Sequence, residues 1–160
     1  MENNRGASRD KRPGRRSYKN FAELSQETRK SGEDLEGWVY PSLTFGAVFW
    51  IPDEISGFGP SGEHPWVIVV PYRPGEPVVM ACPRTSQVER NVENGLLLPA
   101  GTVQGLDRDG IILLAIRRRL IAADFRSYRH AGNLPDAWRE RLRSEIAMVA
   151  GRNRRLSEEP

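Results

Sequence analysis

In the stretch Gly62-Glu63-His64-Pro65-Trp66-Val67-Ile68-Val69-Val70, a polar segment with a histidine leads into a continuous apolar run. The stretch Val78-Val79-Met80-Ala81-Cys82-Pro83-Arg84-Thr85-Ser86-Gln87 reverses that order, because its polar residues come last. A third run, Phe45-Gly46-Ala47-Val48-Phe49-Trp50-Ile51-Pro52, precedes both. Short apolar runs bounded by Gly and Pro are typical of β-strands. The three runs therefore predict three strands, two of which carry reactive polar residues at one end.

The chain continues this pattern of short strands outward from the quoted stretches. We predict strands over residues 45–51, 66–72, 78–83, 95–98 and 111–121. This spacing indicates a mainly β fold, namely a small and strongly bent antiparallel sheet or barrel. The run 111–116 is apolar on both faces, so we expect it to form the most buried strand.

A single long helix is predicted after the strands. Leu134, Trp138, Leu142, Ile146 and Val149 recur at helical spacing, which predicts a helix over residues 135–150. Gly151 is expected to end this helix, because glycine favours the position that follows a helix.

The two ends of the chain differ in charge from its middle. Residues 1–20 carry seven basic side chains against two acidic ones, residues 21–40 carry two against five, and residues 41–130 balance at zero. The basic pI therefore does not mark the middle as a nucleic-acid binder. We predict a basic disordered tail over 1–40 that can hold a short helix over 21–30, a domain over 41–151 and a loose tail over 152–160.

Composition excludes several classes of protein. No run approaches the roughly twenty apolar residues of a membrane span, and no apolar segment follows the basic start as in a secretory signal. Cys82 is the only cysteine, so a disulfide cannot form within the chain and a reducing cytoplasm fits best. One Cys and two His cannot fill a usual structural zinc site. We therefore expect a cytoplasmic protein without a metal or another cofactor and without a membrane partner.

The loop 53–63 is too long and glycine-rich for a tight hairpin. It is either merely mobile or functional, because long loops of compact domains often carry binding residues. In a functional loop, Gly62 lets the backbone come close to a ligand, and Phe58 can stack on a base.

His64 follows that loop, and histidine is the side chain best matched to proton transfer near neutral pH. A ribonuclease without a metal must accept the 2′-OH proton, stabilise the phosphorane and donate a proton to the leaving 5′-oxygen. A histidine and a guanidinium can supply all three. Taken alone, His64 also fits a structural surface histidine before a proline.

Two further polar clusters can bind RNA phosphates. The first cluster offers a guanidinium and two hydroxyls at the end of a strand and consists of Arg84, Thr85, Ser86 and Gln87. An ordinary polar turn would have the same composition. The run Arg117-Arg118-Arg119 can form a basic strip, and its period of two places Arg117 and Arg119 on one face.

In their joint order, these segments resemble the MazF/PemK family of toxin endoribonucleases. The three quoted stretches resemble its "G-x-V-x-W" strand, its "G-x-R-P-x-x-V-V" stretch and its strand ending in "P-x-T-S". Further along, Gly105-Leu106 with the run from Ile111 resembles "L-x-x-x-S-V-V-L", and Arg118 falls on the arginine of "Q-V-R-T-I". The resemblance covers residues 45–150.

The resemblance implies a small SH3-like β-barrel with a C-terminal helix, usually found as a homodimer. It also implies a growth-inhibiting toxin that cleaves single-stranded RNA without a metal, leaves a 2′,3′-cyclic phosphate and is neutralised by an antitoxin. The family's catalytic arginine and threonine fall on His64 and Thr85 of this sequence. The implied centre is therefore His64 and Thr85, with Arg84 stabilising the phosphorane.

Two other interpretations remain open at this point. Because His64 replaces the family's arginine, and Ala115-Ile116 replace its "D-Q", the chain can be a catalytically degenerate member that binds RNA or protein. The pair Pro65-Trp66 superficially resembles a PWWP domain, a reader of methyl-lysine with an aromatic cage. The rings for such a cage would be Trp50, Phe49, Trp66 and Tyr72.

Overall fold

The computed structural model describes residues 42–158, so the predicted basic tail and its short helix lie outside the described part. The strands of that part are β1 (Ala47–Pro52), β2 (Glu63–Val70), β3 (Val78–Thr85), β4 (Gly95–Leu98), β5 (Gly110–Leu113), β6 (Arg118–Ile121) and β7 (Arg129–Asn133). The helices are α1 (Asp53–Ser56), α2 (Val88–Asn91), a 3₁₀ helix (Ala122–Ser127) and α3 (Asp136–Glu158).

The strands form one antiparallel sheet in the order β4-β5-β3-β2-β1-β7, and β6 also pairs with β3. β3 is the hub, because its first half pairs with β6 while its last two residues, Arg84 and Thr85, pair with β5. The predicted mainly β fold with a C-terminal helix is confirmed.

The predicted strand 111–121 is wrong as a continuous element. Both β5 and β6 run antiparallel to β3, but Thr85 pairs with Ile111 whereas Val78 pairs with Ile121. Eight residues of β3 thus face eleven residues of the other run. The excess forms a turn closed by the hydrogen bond from Ile116 N–H to the Leu113 carbonyl, at 3.2 Å. Every residue of β5 is buried, as its apolar run predicts.

Alternation along β2 divides its side chains between two hydrophobic cores. Trp66 and Ile68 pack into the first core, together with Phe49 and Ile51 of β1. Val67 and Val69 pack into the second core, where Leu142 of α3 also lies. A strand covered on both faces needs apolar residues at every position, which explains the unbroken apolar run over residues 66–70.

α3 extends past the predicted stop. It runs from Asp136 to Glu158 and passes through Gly151, so the predicted end at that glycine is wrong, and residues 152–158 are helical. A glycine costs an exposed helix only about 1 kcal/mol, which the surrounding helix formers can offset. β7 was not predicted, because Arg129–Asn133 contains no alternation of apolar residues.

The aromatic-cage interpretation is also wrong. Phe49, Trp66 and Tyr72 belong to the first core and are each less than 10% exposed. Only Trp50 is half-buried, so these four rings cannot enclose a ligand.

Candidate functional site

The β1–β2 hairpin brings Asp53 and His64 together. Ile51 of β1 lies opposite His64 of β2, and just beyond β1 the backbone N–H of Asp53 donates to the Gly62 carbonyl at 2.9 Å. Asp53 and His64 are therefore diagonal neighbours across the hairpin, on the face shared with Ile51. Cross-strand diagonal neighbours of this kind are within reach of long and aromatic side chains.

A short hydrogen bond joins the two side chains. His64 Nδ1 lies 2.6 Å from Asp53 Oδ1. The Asp53 side chain is fully buried, at 0% exposure, whereas the His64 side chain is 33% exposed. The second carboxylate oxygen, Oδ2, is buried without a hydrogen-bond partner. The pair thus has a buried acidic end and an accessible imidazole end.

The loop between β1 and β2 closes over this pair. The Phe58 ring contacts the His64 ring edge-on, with centroids 4.9 Å apart, and also packs against Trp66. A Cβ atom at Gly59 would lie 2.4 Å from Asp53 Oδ2 and 3.1 Å from His64 Cε1. Only glycine allows the backbone to approach the pair so closely. The loop is therefore built around the carboxylate and the imidazole.

A cleft of about 310 Å³ opens beside His64. Its lining combines three basic side chains with two carboxylates and one large aromatic ring, and consists of Trp50, Glu63, His64, Pro65, Arg84, Ser86, Leu106, Asp107 and Arg108. One wall is braced from outside, because Arg129 lies over the Trp50 ring at 4.9 Å and pairs with Glu63 at 2.6 Å. The cleft thus combines side chains of both charges with a flat aromatic surface.

Arg84 is the most buried cation of the cleft, at 4% exposure. Its Nη2 donates to the carbonyl oxygen of Leu98 at 3.4 Å and to that of Arg108, while its Nε is buried without a partner. Burial lowers the pKa of the Arg84 guanidinium, and the charges of Asp109 and Asp107 oppose that shift. Arg84 therefore ties the end of β4 to the loop before β5 as well as lining the cleft.

Thr85 does not line the cleft, whereas its neighbours Arg84 and Ser86 do. Successive residues of a strand point to opposite faces, which accounts for this split. Thr85 pairs with Ile111 of β5, and only 8% of it is exposed. The Thr85 hydroxyl accepts a hydrogen bond from the Gln87 N–H at 3.2 Å.

The remaining predicted RNA-binding residues lie away from the cleft lining. Phe58 covers the imidazole, and Gly62 and Gln87 are exposed loop residues. Arg118 and Arg119 are exposed on β6, where they pair with Ala81 and Met80. Thr85 lies four residue steps along β3 from Ala81, or about 13 Å. Arg117 precedes β6, and its Nε donates to the Leu114 carbonyl at 3.4 Å.

Asp53 and Arg108 are the site residues that the sequence did not single out. Asp53 carried no signal, because an acidic residue at the start of a loop is ordinary, and only the hairpin register aligns it with His64. Arg108 lies in a turn-like segment whose position beside the cleft depends on the pairing of β5 with β3.

The described residues 42–158 offer neither a metal site nor a membrane-spanning helix. No group of three or more His, Cys, Asp and Glu side chains there is placed to hold a metal ion. None of the helices in this range is both long and apolar enough to span a membrane.

No protein-family model matches the chain, and no curated protein matches it. Solved structures do match. MazF from Deinococcus radiodurans, in a first crystal form, is 23% identical with a TM-score of 0.50, and the match covers 67% of this chain and 94% of that one. A third form, of MazE-MazF from the same organism, is 20% identical with a TM-score of 0.50 and coverage of 69% and 97%. The predicted MazF/PemK-like fold is therefore confirmed.

Proposed function

We propose that this chain, which has the fold of the MazF toxins, is a toxin that cleaves single-stranded RNA without a metal ion. The observation that carries the proposal is the meeting of an accessible histidine with two guanidinium groups in one cleft. His64 lines that cleft together with Arg84 and Arg108. A proton-transfer group beside cations is the minimum that metal-free phosphodiester cleavage needs.

The proposed step moves one proton and exchanges one bond. His64 takes the proton from the RNA 2′-OH while the 2′-oxygen attacks the adjacent phosphorus. The P–O5′ bond then breaks, and the same proton passes from His64 to the leaving 5′-oxygen. The products are a 2′,3′-cyclic phosphate and a free 5′-hydroxyl, so atoms and charge balance without a further reactant.

The cations of the cleft have complementary proposed roles. Arg108 is exposed and can contact the phosphate directly, whereas Arg84 is buried and adds its positive charge from behind. Positive charges that are already in position before the reaction stabilise a phosphorane without any rearrangement of the protein. Thr85, on which the family's catalytic threonine falls, is proposed to contact the RNA from the face opposite to Arg84.

The proposed partners follow from the same fold. The MazF of Deinococcus radiodurans has been crystallised with MazE, and we infer that a cognate antitoxin likewise neutralises this chain. A homodimer and action on cytoplasmic RNA belong to the same proposal. Both rest on the sequence resemblance.

Cleavage of a long single-stranded RNA in EDTA tests the function. We expect discrete cuts with cyclic-phosphate ends, and a reduction of at least about 10²-fold in His64→Ala. The matched control is His130→Ala, because His130 is the other histidine of the chain and is exposed on β7. Equal cutting by wild type and His64→Ala would overturn the mechanism.

A noncatalytic RNA-binding module is the second candidate. One observation favours it: the Thr85 hydroxyl is engaged with the Gln87 N–H and does not line the cleft. A folded protein that binds RNA but leaves it intact, and that fails to arrest growth when expressed without an antitoxin, would establish this alternative.

A further inference from the structure

We infer that Asp53 is a positioning residue that fixes the Nδ1–H tautomer of His64 and thereby makes Nε2 the atom that exchanges the proton. This inference deepens the proposed function, on which its kinetic part rests. Neither Asp53 nor its pairing with His64 follows from the sequence resemblance, in which His64 stands at an arginine position.

The burial of Asp53 is difficult to explain by packing alone. A carboxylate transferred from water into a protein interior is destabilising unless it is paired and hydrogen-bonded. The Asp53 side chain is 0% exposed, its Oδ2 has no partner, and its Oδ1 bonds His64 Nδ1. An apolar side chain of similar size would pack at this position at lower cost. The imidazole contact is therefore the role that best accounts for the carboxylate.

The geometry assigns different tasks to the two ring nitrogens. An ionised carboxylate can only accept hydrogen bonds, so a 2.6 Å contact requires a proton on Nδ1. Neutral imidazole carries one N–H, and Nε2 is then left with the lone pair that a general base needs. While His64 holds the RNA proton, its ring is positive, and the adjacent negative charge of Asp53 stabilises that imidazolium.

The surroundings preserve this arrangement. The Phe58 ring contacts the imidazole edge-on at 4.9 Å, and Gly59 leaves no space between the loop and Asp53 Oδ2. Water therefore reaches the pair from the exposed side of His64. The hydrogen bond at Nδ1 and the contact with Phe58 both favour this one orientation of the imidazole, so we infer that the proton is exchanged at Nε2 beside the cleft.

The first test measures the tautomer of His64 in the wild-type protein by long-range ¹H–¹⁵N NMR, with assignment by His64→Ala. We expect a protonated Nδ1 and an unprotonated Nε2 in the neutral ring. A neutral His64 with its proton on Nε2 would overturn the inference, whether or not the protein cleaves RNA.

The second test compares Asp53→Asn with Glu54→Gln, which removes a neighbouring carboxylate that is exposed on α1. We expect kcat for Asp53→Asn to fall by about 10²- to 10⁴-fold with KM within about twofold, an altered His64 tautomer signal and an intact circular dichroism spectrum. Glu54→Gln should match the wild type. A folded Asp53→Asn variant with wild-type kcat would refute the positioning role, whereas failure of the wild type to cleave RNA would refute the proposed function instead.

Discussion

The Arg84 guanidinium donates a hydrogen bond to the backbone carbonyl of Arg108, so a buried cation holds the loop that presents an exposed one. The two arginines are 24 residues apart in sequence and share the lining of one cleft. Arg84 also holds the Leu98 carbonyl at the end of β4. We therefore expect substitution of Arg84 to affect stability and, under the proposed function, substitution of Arg108 to affect RNA binding.

Replacement of Arg84 by Met should lower the free energy of unfolding by about 2 to 4 kcal/mol, because two carbonyl groups lose their donor. Urea denaturation followed by circular dichroism measures this loss. Arg90→Met, on the exposed face of α2, is the matched control and should stay within about 0.5 kcal/mol of the wild type. Equal stability of both variants would show that the buried guanidinium does not support the loop.

Arg108→Ala should leave stability unchanged but weaken RNA binding. Loss of one phosphate contact reduces the slope of log K against log salt by about 0.7 for a single strand. Fluorescence anisotropy with a labelled, non-cleavable RNA over a range of salt concentrations gives the slope. Arg73→Ala removes an exposed arginine from the β2–β3 connection and should keep the wild-type slope. If both variants shift the slope equally, binding reflects general charge rather than the cleft.

Gly59→Ala should reduce cleavage by on the order of 10²-fold, because the new Cβ would displace the carboxylate or the imidazole from its present position. Ser61→Ala alters an exposed residue of the same loop and should have no effect. RNA cleavage under single-turnover conditions compares the two. Wild-type activity in Gly59→Ala would mean that the closeness of the loop to the pair has no catalytic consequence.

Cys82 should make the protein less stable in alkaline solution. Burial raises the pKa of the Cys82 thiol to about 11, against an ordinary value of 9.0, although the charge of Arg117 opposes the shift. The folded protein thus retains a proton that the unfolded chain releases, so the free energy of unfolding falls as pH rises from about 9 to about 11. Between pH 8 and pH 10 the loss should be about 1 to 2 kcal/mol.

Urea denaturation of the wild type and Cys82→Ala at both pH values isolates this contribution, since every other group titrates alike in the two proteins. The free energy of unfolding of the wild type, relative to that of Cys82→Ala, should fall between pH 8 and pH 10. The native thiol should also react with an aromatic disulfide reagent at pH 8 only after unfolding. Rapid reaction of the folded protein would contradict the burial.

The parts of the fold predicted correctly are those in which local pattern and tertiary structure agree. The first residue of β3 and both ends of β4 coincide with marked changes in polarity along the chain. The sequence pattern therefore predicted these three boundaries correctly. The prediction of one strand over 111–121 was wrong because the apolar residues continue into a turn, where Leu114 is buried in the second core. Burial and strand continuity are separate properties, and hydrophobicity reports only the first.

Prediction of the candidate site depended on residue chemistry more than on geometry. His64 was recognisable by its type and its place after a loop, whereas its carboxylate partner was not. The pairing of Asp53 with His64 follows from the register of β1 against β2, and a shift by one residue would turn one of them to the opposite face. Arg84, predicted to stabilise the phosphorane, is held by backbone carbonyls whose approach depends on contacts between distant strands.

Asp53 and His64 are only 11 residues apart, within one hairpin and its loop. The pair can therefore form as soon as that hairpin closes, before the distant strands assemble. Substitutions within this one segment are also enough to create or remove the pair. Under the proposed function, a lineage that changes residue 53, 59 or 64 would alter proton transfer without replacing a residue of either hydrophobic core. On this view the paired side chains of the hairpin are free to evolve at a different rate from the sheet that supports them.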